Sequence, residues 1–253
     1  MLTKFMLCLL LICIELMLVQ SFSQSSIKCS RLSTSLFVKN QNQEQEYRNP
    51  GTRLLGLFIK TEEKIVSPKQ VDLNSIQWNK PKRRKSSLLS LSSALEKALK
   101  STEWFVTGLV DPSFFSGDFR FQDPDVKLKG IENYARGVNK IFSQQDSRAE
   151  IVSVVPSLTT SNSLTVTWRL SGSINVGPGL KIKPFLVYTD FLVDPSSGLI
   201  SFQEDRFSIP GYDIVLSSLF PFLVGLNLPW ISPPCPDIDV LLSDLSSAKK
   251  TKK

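Results

Sequence analysis

The chain of 253 residues contains no histidine, so no imidazole can serve as acid, base or metal ligand in it. Proton chemistry has to come from carboxylates and phenols. The densest set of these lies in two stretches, Tyr188-Thr189-Asp190 and Gln203-Glu204-Asp205-Arg206. A carboxylate held near neutrality can take a proton from a substrate, and a tyrosine hydroxyl can donate a hydrogen bond to the charge that develops. Asp190 as base with Tyr188 as donor is the candidate catalytic pair, and Glu204 and Asp205 are further carboxylates of the right type. Side chains alternate along a strand, so Tyr188 and Asp190 share a face while Glu204 and Asp205 point oppositely. Asp190 can therefore share a pocket with one of that pair and not with both. The plainer alternatives are a rim carboxylate at Asp190 and a solvated, self-paired strand end at Glu204-Asp205-Arg206.

These residues must be positioned by the elements around them. Ser86 or Ser87 is a plausible cap for a helix through about Ser101, with Leu88, Leu91, Leu95 and Ala98/Leu99 on one face. A second helix is predicted from about Gly130 to Phe142, its apolar stripe formed by Ile131, Tyr134, Val138 and Ile141. Asp111-Pro112 and Asp123-Pro124 are turn signals around a short strand, DFRFQ. Strands are then predicted at Glu150 to Val155, Leu164 to Leu170, Lys183 to Val193 and Leu199 to Phe207. Asp194-Pro195-Ser196-Ser197-Gly198 is a hairpin loop between the last two. On the second of these strands Leu164, Val166, Trp168 and Leu170 form the more apolar face, so Arg169 is expected to point outward into an ion pair. The strand from Phe185 to Val193 is apolar on both faces, which suggests a pocket or helices on one side and a partner surface on the other.

Trp104-Phe105-Val106-Thr107-Gly108, Phe121-Gln122-Asp123-Pro124 followed by Lys129-Gly130, Tyr188-Thr189-Asp190 and the segment Asp194 to Ile200 resemble the nuclear transport factor 2-like, or SnoaL-like, superfamily. Its members from plastids and cyanobacteria, of unknown function, are the nearer likeness. The resemblance covers about half of the chain, Ser87 to Pro210. It implies an α+β fold, a cone-shaped curved antiparallel sheet packed with helices. The pocket of such a cone is expected to be apolar and lined by Trp104, Tyr134 and Trp168. Ketosteroid isomerase-like members pair a carboxylate base with a tyrosine or protonated acid, and limonene epoxide hydrolase-like members use two aspartates and an arginine. Asp190 and Asp205 with Arg169 or Arg206 would supply the second set. Members often carry His and Trp on the last strand, where this chain has Gln203 and Phe207.

Address is written at the N-terminus. Lys4 precedes an apolar run from Phe5 to Val19, interrupted by Glu15 alone. This is the pattern of a signal peptide over 1–21 rather than a membrane anchor, because a span needs about 20 apolar residues. Residues 22–43 are serine-rich and basic and contain no acid, which is the composition of a transit peptide. The pair resembles the bipartite presequences of algae with secondary plastids, so the expected location is a plastid. Secretion or retention in the endoplasmic reticulum is the alternative. Residues 44–85 read as a largely irregular linker, whose basic run PKRRK (81–85) is more plausibly solvated than a nuclear signal.

Charge and cysteine narrow the function. The net charge is +7, but residues 86–248 carry 12 Lys and Arg against 17 Asp and Glu. The basic residues sit in the leader, the linker and the 249–253 tail, so no nucleic-acid partner is expected. Cys235 is the one cysteine beyond the targeting segments, so neither a disulfide framework nor a metal site is expected, nor a cofactor. The run Tyr212 to Trp230, within an apolar strap over 211–248, has no charge after Asp213 and is broken by Pro221, Gly225 and Pro229. It is expected to close the mouth of the cone, with membrane-surface contact ranked second and a spanning helix, which Pro221 would interrupt, ranked last. The resulting expectation is an 86–210 domain that binds a hydrophobic small molecule or supports an assembly, with a homodimer through the sheet. The alternative is a cofactor-independent isomerase or hydrolase.

Overall fold

The computed structural model describes residues 45–47, 72–157, 159–175 and 179–250, which all belong to one unit, Gln45–Lys253. The signal-peptide and transit-like segments, 48–71 of the linker and the end of the tail lie outside the described residues.

Ser87 caps the first helix, α1 (Leu88–Thr102), its hydroxyl accepting from the Ser90 N–H at 3.2 Å. Leu91, Leu95 and Leu99 recur every four residues and are buried. Glu103 then adopts φ 48°, ψ 42°, a left-handed conformation that costs a residue with a Cβ roughly 1–2 kcal/mol. Its carboxylate offsets that strain by accepting from Arg148 Nε and the Ala149 N–H, each at 3.0 Å. The kink turns the chain into α2 (Trp104–Thr107) and buries Trp104 and Phe105.

Strands β2 (Phe115–Gln122) and β3 (Val126–Lys129) form a hairpin pinned by Asp123, whose Oδ1 accepts from the Asp125 and Val126 N–H groups at 2.7 and 2.6 Å. Helix α3 (Ile131–Ile141) follows. Gly108, at φ 74°, ends α2 where a Cβ would stand 2.3 Å from the Ala135 carbonyl oxygen of α3. Only glycine permits that approach of the two helices. Strands β4 (Arg148–Pro156), β5 (Ser163–Ile174), β6 (Leu180–Val193) and β7 (Ile200–Phe207) complete the sheet. With a short β1 (Gln45–Tyr47) at its edge, the order is β1-β3-β2-β7-β6-β5-β4. Every pair is antiparallel except β2 with β7. The fold is thus α+β, a curved sheet with helices against it, as expected, but the β2–β7 pair makes the sheet mixed rather than wholly antiparallel. Strands β1 and β3 are additions to the sequence reading, each too short and too polar for its period to show.

The register decides what faces inward. Leu164, Val166, Trp168 and Leu170 of β5 lie opposite Phe191, Thr189, Val187 and Phe185 of β6, and all eight are buried. The space they enclose is filled ring on ring. Phe105 stacks on Trp168 at 4.7 Å and lies 6.3 Å from Phe191. Phe115 meets Phe119 at 4.9 Å, and Phe121 meets Tyr134 at 4.9 Å. Aromatic pairs at these separations add to area burial, so the interior is a well-bound core.

The C-terminal segment begins with α4 (Gly211–Leu219), continues through a 3-10 turn at Pro221–Leu226, and ends in α5 (Ile238–Lys250). It is anchored twice. Lys183 sits where β6 bulges, between the pairs Leu170↔Phe185 and Gly172↔Ile182, and bulges re-aim side chains. Its ammonium meets Asp213 Oδ1 at 2.6 Å and the Ser232 carbonyl at 2.7 Å, while Asp213 Oδ2 accepts from the Ser232 N–H at 2.9 Å. On the outer face, Arg169 pairs with Glu150 of β4 and, at 2.8 Å, with Asp237. Arg169 therefore points outward as parity required, but Asp237 and its neighbours cover it, and it is 7% exposed rather than solvated.

Residues 72–87 are almost without regular structure yet are held to the domain. Leu73 is buried, the Arg83 N–H donates to the Ser113 carbonyl at 3.0 Å, and the Arg83 guanidinium stacks 3.9 Å over Phe114. Lys85 Nζ donates to the Pro195 carbonyl. The basic run thus makes specific contacts on the domain in addition to meeting solvent.

Candidate functional site

Asp190 and Tyr188, the sequence candidates for acid–base work, come together on the outer face of the sheet. Asp190 Oδ1 accepts from Thr165 Oγ1 at 2.6 Å, and Asp190 Oδ2 accepts from Arg206 Nη2 at 2.6 Å. The Arg206 guanidinium carbon lies 5.9 Å from the centre of the Tyr188 ring. The Asp190 carboxylate is thus committed to an ion pair beside the phenol. The physical reason is register: Asp190 lies opposite Glu204, whereas Thr189 lies opposite Asp205.

The carboxylate that faces inward is Asp205. It accepts from Thr189 Oγ1 at 2.7 Å and Gln203 Nε2 at 3.1 Å. Trp168 Nε1 donates to Thr189 Oγ1 at 3.0 Å, and Gln203 Nε2 also reaches the Tyr134 hydroxyl at 3.2 Å. Burial pushes the Asp205 carboxyl up to about 7, despite the opposing hydrogen bonds from Thr189 and Gln203. Burial also drives the Tyr134 hydroxyl well above its ordinary value, and the Asp205 charge adds to this. Chemically the Asp205 carboxyl is divided between its protonated and ionised forms near neutral pH, so it can take up or release a proton there. Trp168 and Tyr134 thus both belong to the interior, but Phe105 and Phe121 occupy the space beside them.

Trp104 has a different setting. Besides packing on Phe105 and Phe115, it forms part of the wall of a groove of about 340 Å³, together with Ile76, Gln77 and Lys80 of the linker, Ala98 and Thr102 of α1, and 109–112 of the following loop. The wall is aliphatic at Ile76, Ala98, Leu109, Val110 and Pro112. Its polar rim is the Lys80–Asp111 pair at 3.2 Å. Burial raises the Asp111 carboxyl, but bonds from Ser113 and Lys80 outweigh this and leave it below its usual range. Trp104 is fully buried, and its Nε1–H has no acceptor among the described residues. A second cavity, about 210 Å³, lies between Arg83, Arg84, Ser90, Phe114 and Gly198. Sequence reasoning missed the groove because three of its residues lie in a stretch without periodicity; Trp78, two residues beyond Ile76, was the available mark of an apolar contact there.

No protein-family model matches the chain, and no curated protein matches it. Solved structures do. One is an NTF2-like protein from Anabaena variabilis ATCC 29413, 16% identical over 51% of this chain and 97% of that one, with a TM-score of 0.36. Another is a candidate SnoaL-like polyketide cyclase from Jannaschia sp. CCS1, 14% identical over 54% and 96%, with a TM-score of 0.41. A third is an NTF2-like protein of unknown function from Cytophaga hutchinsonii ATCC 33406, 13% identical over 50% and 94%, with a TM-score of 0.32. These are structures the chain is similar to; its α+β architecture stands on its own strand order and helices.

Proposed function

We propose that the protein binds a hydrophobic small molecule in the groove beside Trp104, outside the cone. The observation that carries this reading is the apolar wall of Ile76, Ala98, Leu109, Val110 and Pro112 around about 340 Å³, a volume within the range of small-molecule sites. The ligand it fits has an aliphatic or aromatic body and a polar end that meets Lys80 or Asp111 at the rim. The test is titration with the neutral fluorescent probe N-phenyl-1-naphthylamine. Ala98→Phe places a ring in the groove and should weaken binding about tenfold or more, since a bound methylene is worth about 0.8 kcal/mol and several would be displaced. Equal affinity in the variant, with its circular dichroism unchanged, would sink the reading.

A second reading is carboxylate catalysis, an isomerase or hydrolase. What favours it is a carboxyl held at about 7 beside Tyr134, and it moves the base from Asp190 to Asp205. Any turnover that survives Asp205→Asn would dismiss it, whereas groove binding should be indifferent to that change. The site of action we propose is a plastid, on the composition of 1–43. A fluorescent protein carrying those residues in a diatom should collect in the plastid; a secreted signal would contradict the assignment.

A further inference from the structure

The loop between α4 and Ser232 is held at its base and apolar at its tip. Its base is the clamp of Lys183, Asp213 and Ser232, supported by buried Ile231 and by the Ser217 hydroxyl, which donates to the Asp213 carbonyl at 2.6 Å. At the tip, Phe222, Leu226 and Trp230 are 66%, 57% and 45% exposed. Pro221 just before them and Gly225 and Pro229 between them are exposed, and Leu223, Val224 and Leu228 turn partly inward. Asn227, in the left-handed region at φ 48°, is the one exposed residue among these with a polar side chain. Three large apolar side chains are thus displayed by a braced loop.

We propose that this loop rests on a lipid bilayer that carries anionic headgroups. Between Asp213 and Asp237 the sequence contains no charged residue, so the tip can enter the headgroup region without desolvating a charge. A protein-docking patch ordinarily carries charged groups among its rim residues, and residues 214–236 supply none. Tryptophan favours the membrane–water boundary. No described helix is long and apolar enough to cross a membrane, so the contact lies in the surface plane. Beyond Asp244 the chain has no acid and carries Lys249, Lys250, Lys252 and Lys253. These cations are complementary to an anionic leaflet and act over roughly a Debye length of 8–10 Å.

Vesicle sedimentation tests this with mature protein purified from cells that remove its targeting segments. The probes are vesicles of phosphatidylcholine alone and of phosphatidylcholine with phosphatidylglycerol in equal parts. The wild type should pellet with both, and more strongly with the second. Phe222→Ser, Leu226→Ser and Trp230→Ser together should lower partitioning to both by about tenfold or more. Truncation after Ser247 should remove only the preference for phosphatidylglycerol. The substituted residues are exposed, so an unchanged melting temperature separates lost binding from lost folding. The proposal is overturned if the triple variant pellets like the wild type, which would leave charge alone as the cause. It is also overturned if the wild type pellets with neither vesicle; a change of solution mass in the triple variant would then mark a second copy of the chain as the occupant.

Discussion

Asp213→Ala will destabilise the folded chain by about 3–5 kcal/mol, because it leaves the Lys183 ammonium buried and unpaired. Both partners are almost wholly enclosed, with side-chain exposures of 3% for Lys183 and 0% for Asp213. The loss extends beyond the pair. Asp213 also accepts from the Ser232 N–H, so the variant orphans that donor and loosens the base of the apolar loop. A domain of this size loses roughly 2–4 °C per kcal/mol, so its melting temperature should fall by about 10 °C. Replacing both partners with apolar residues, Lys183→Met with Asp213→Leu, should recover much of the loss, since no charge is then left buried. Thermal unfolding of the three proteins checks the prediction. A fall of less than about 1 kcal/mol in Asp213→Ala, the size of a surface pair, would mean that the clamp does not hold.

The second large effect is a pH dependence opposite in sign to ordinary acid denaturation. The Asp205 carboxyl stands at about 7 when folded, against an ordinary value of 3.8. Below pH 3.8 both folded and unfolded forms are protonated, and this group costs nothing. Between the two values the folded form keeps its proton while the unfolded form releases it, so stability declines as pH rises. Above about 7 both are ionised and the loss is complete, on the order of 4–5 kcal/mol at about 1.4 kcal/mol per pH unit. Asp205→Asn stays neutral throughout and can still accept from Thr189. Its stability relative to the wild type should therefore be near equal at pH 4 and should rise through the acid range to its maximum above pH 7. Urea unfolding of both proteins across this range isolates the group, because the slopes of all other titrating residues cancel. A difference that does not change with pH would contradict the burial argument.

How far the sequence reveals this molecule depends on the residue. Helices α1 and α3 were legible to within a residue or two, because Ser87, the Leu91-Leu95-Leu99 stripe and Gly130 are local signals read without tertiary context. The four long strands were legible from alternation and from the Asp194 loop. Which face of β6 turns inward was not. Phe185, Val187, Phe191 and Val193 on one face are matched by Leu186, Tyr188 and Leu192 on the other, so parity named two exclusive sets and hydrophobicity could not choose between them. The β5–β6 register, which sets Trp168 against Val187 and Thr189 against Asp205, makes that choice, and register is a property of two strands rather than of one. It moves the interior carboxylate from Asp190 to Asp205. The Lys183–Asp213 pair left no sequence signal except Pro184, whose place inside a strand marks a bulge. The ring contacts were hidden for a related reason: Phe105, Phe115 and Phe119 read as core residues individually, and only the packing of separate elements brings them against Trp168, Phe191 and Tyr134.

The most direct test of the account is native mass spectrometry of the mature protein, before and after denaturation, with Ala98→Phe and Asp205→Asn prepared alongside from the same cells. The account predicts one small molecule per chain in the wild type and in Asp205→Asn, and none in Ala98→Phe, because the ligand sits in the groove beside Trp104 and not in the cone. A ligand that survives Ala98→Phe, or that disappears in Asp205→Asn, would place the site among the interior rings and contradict it.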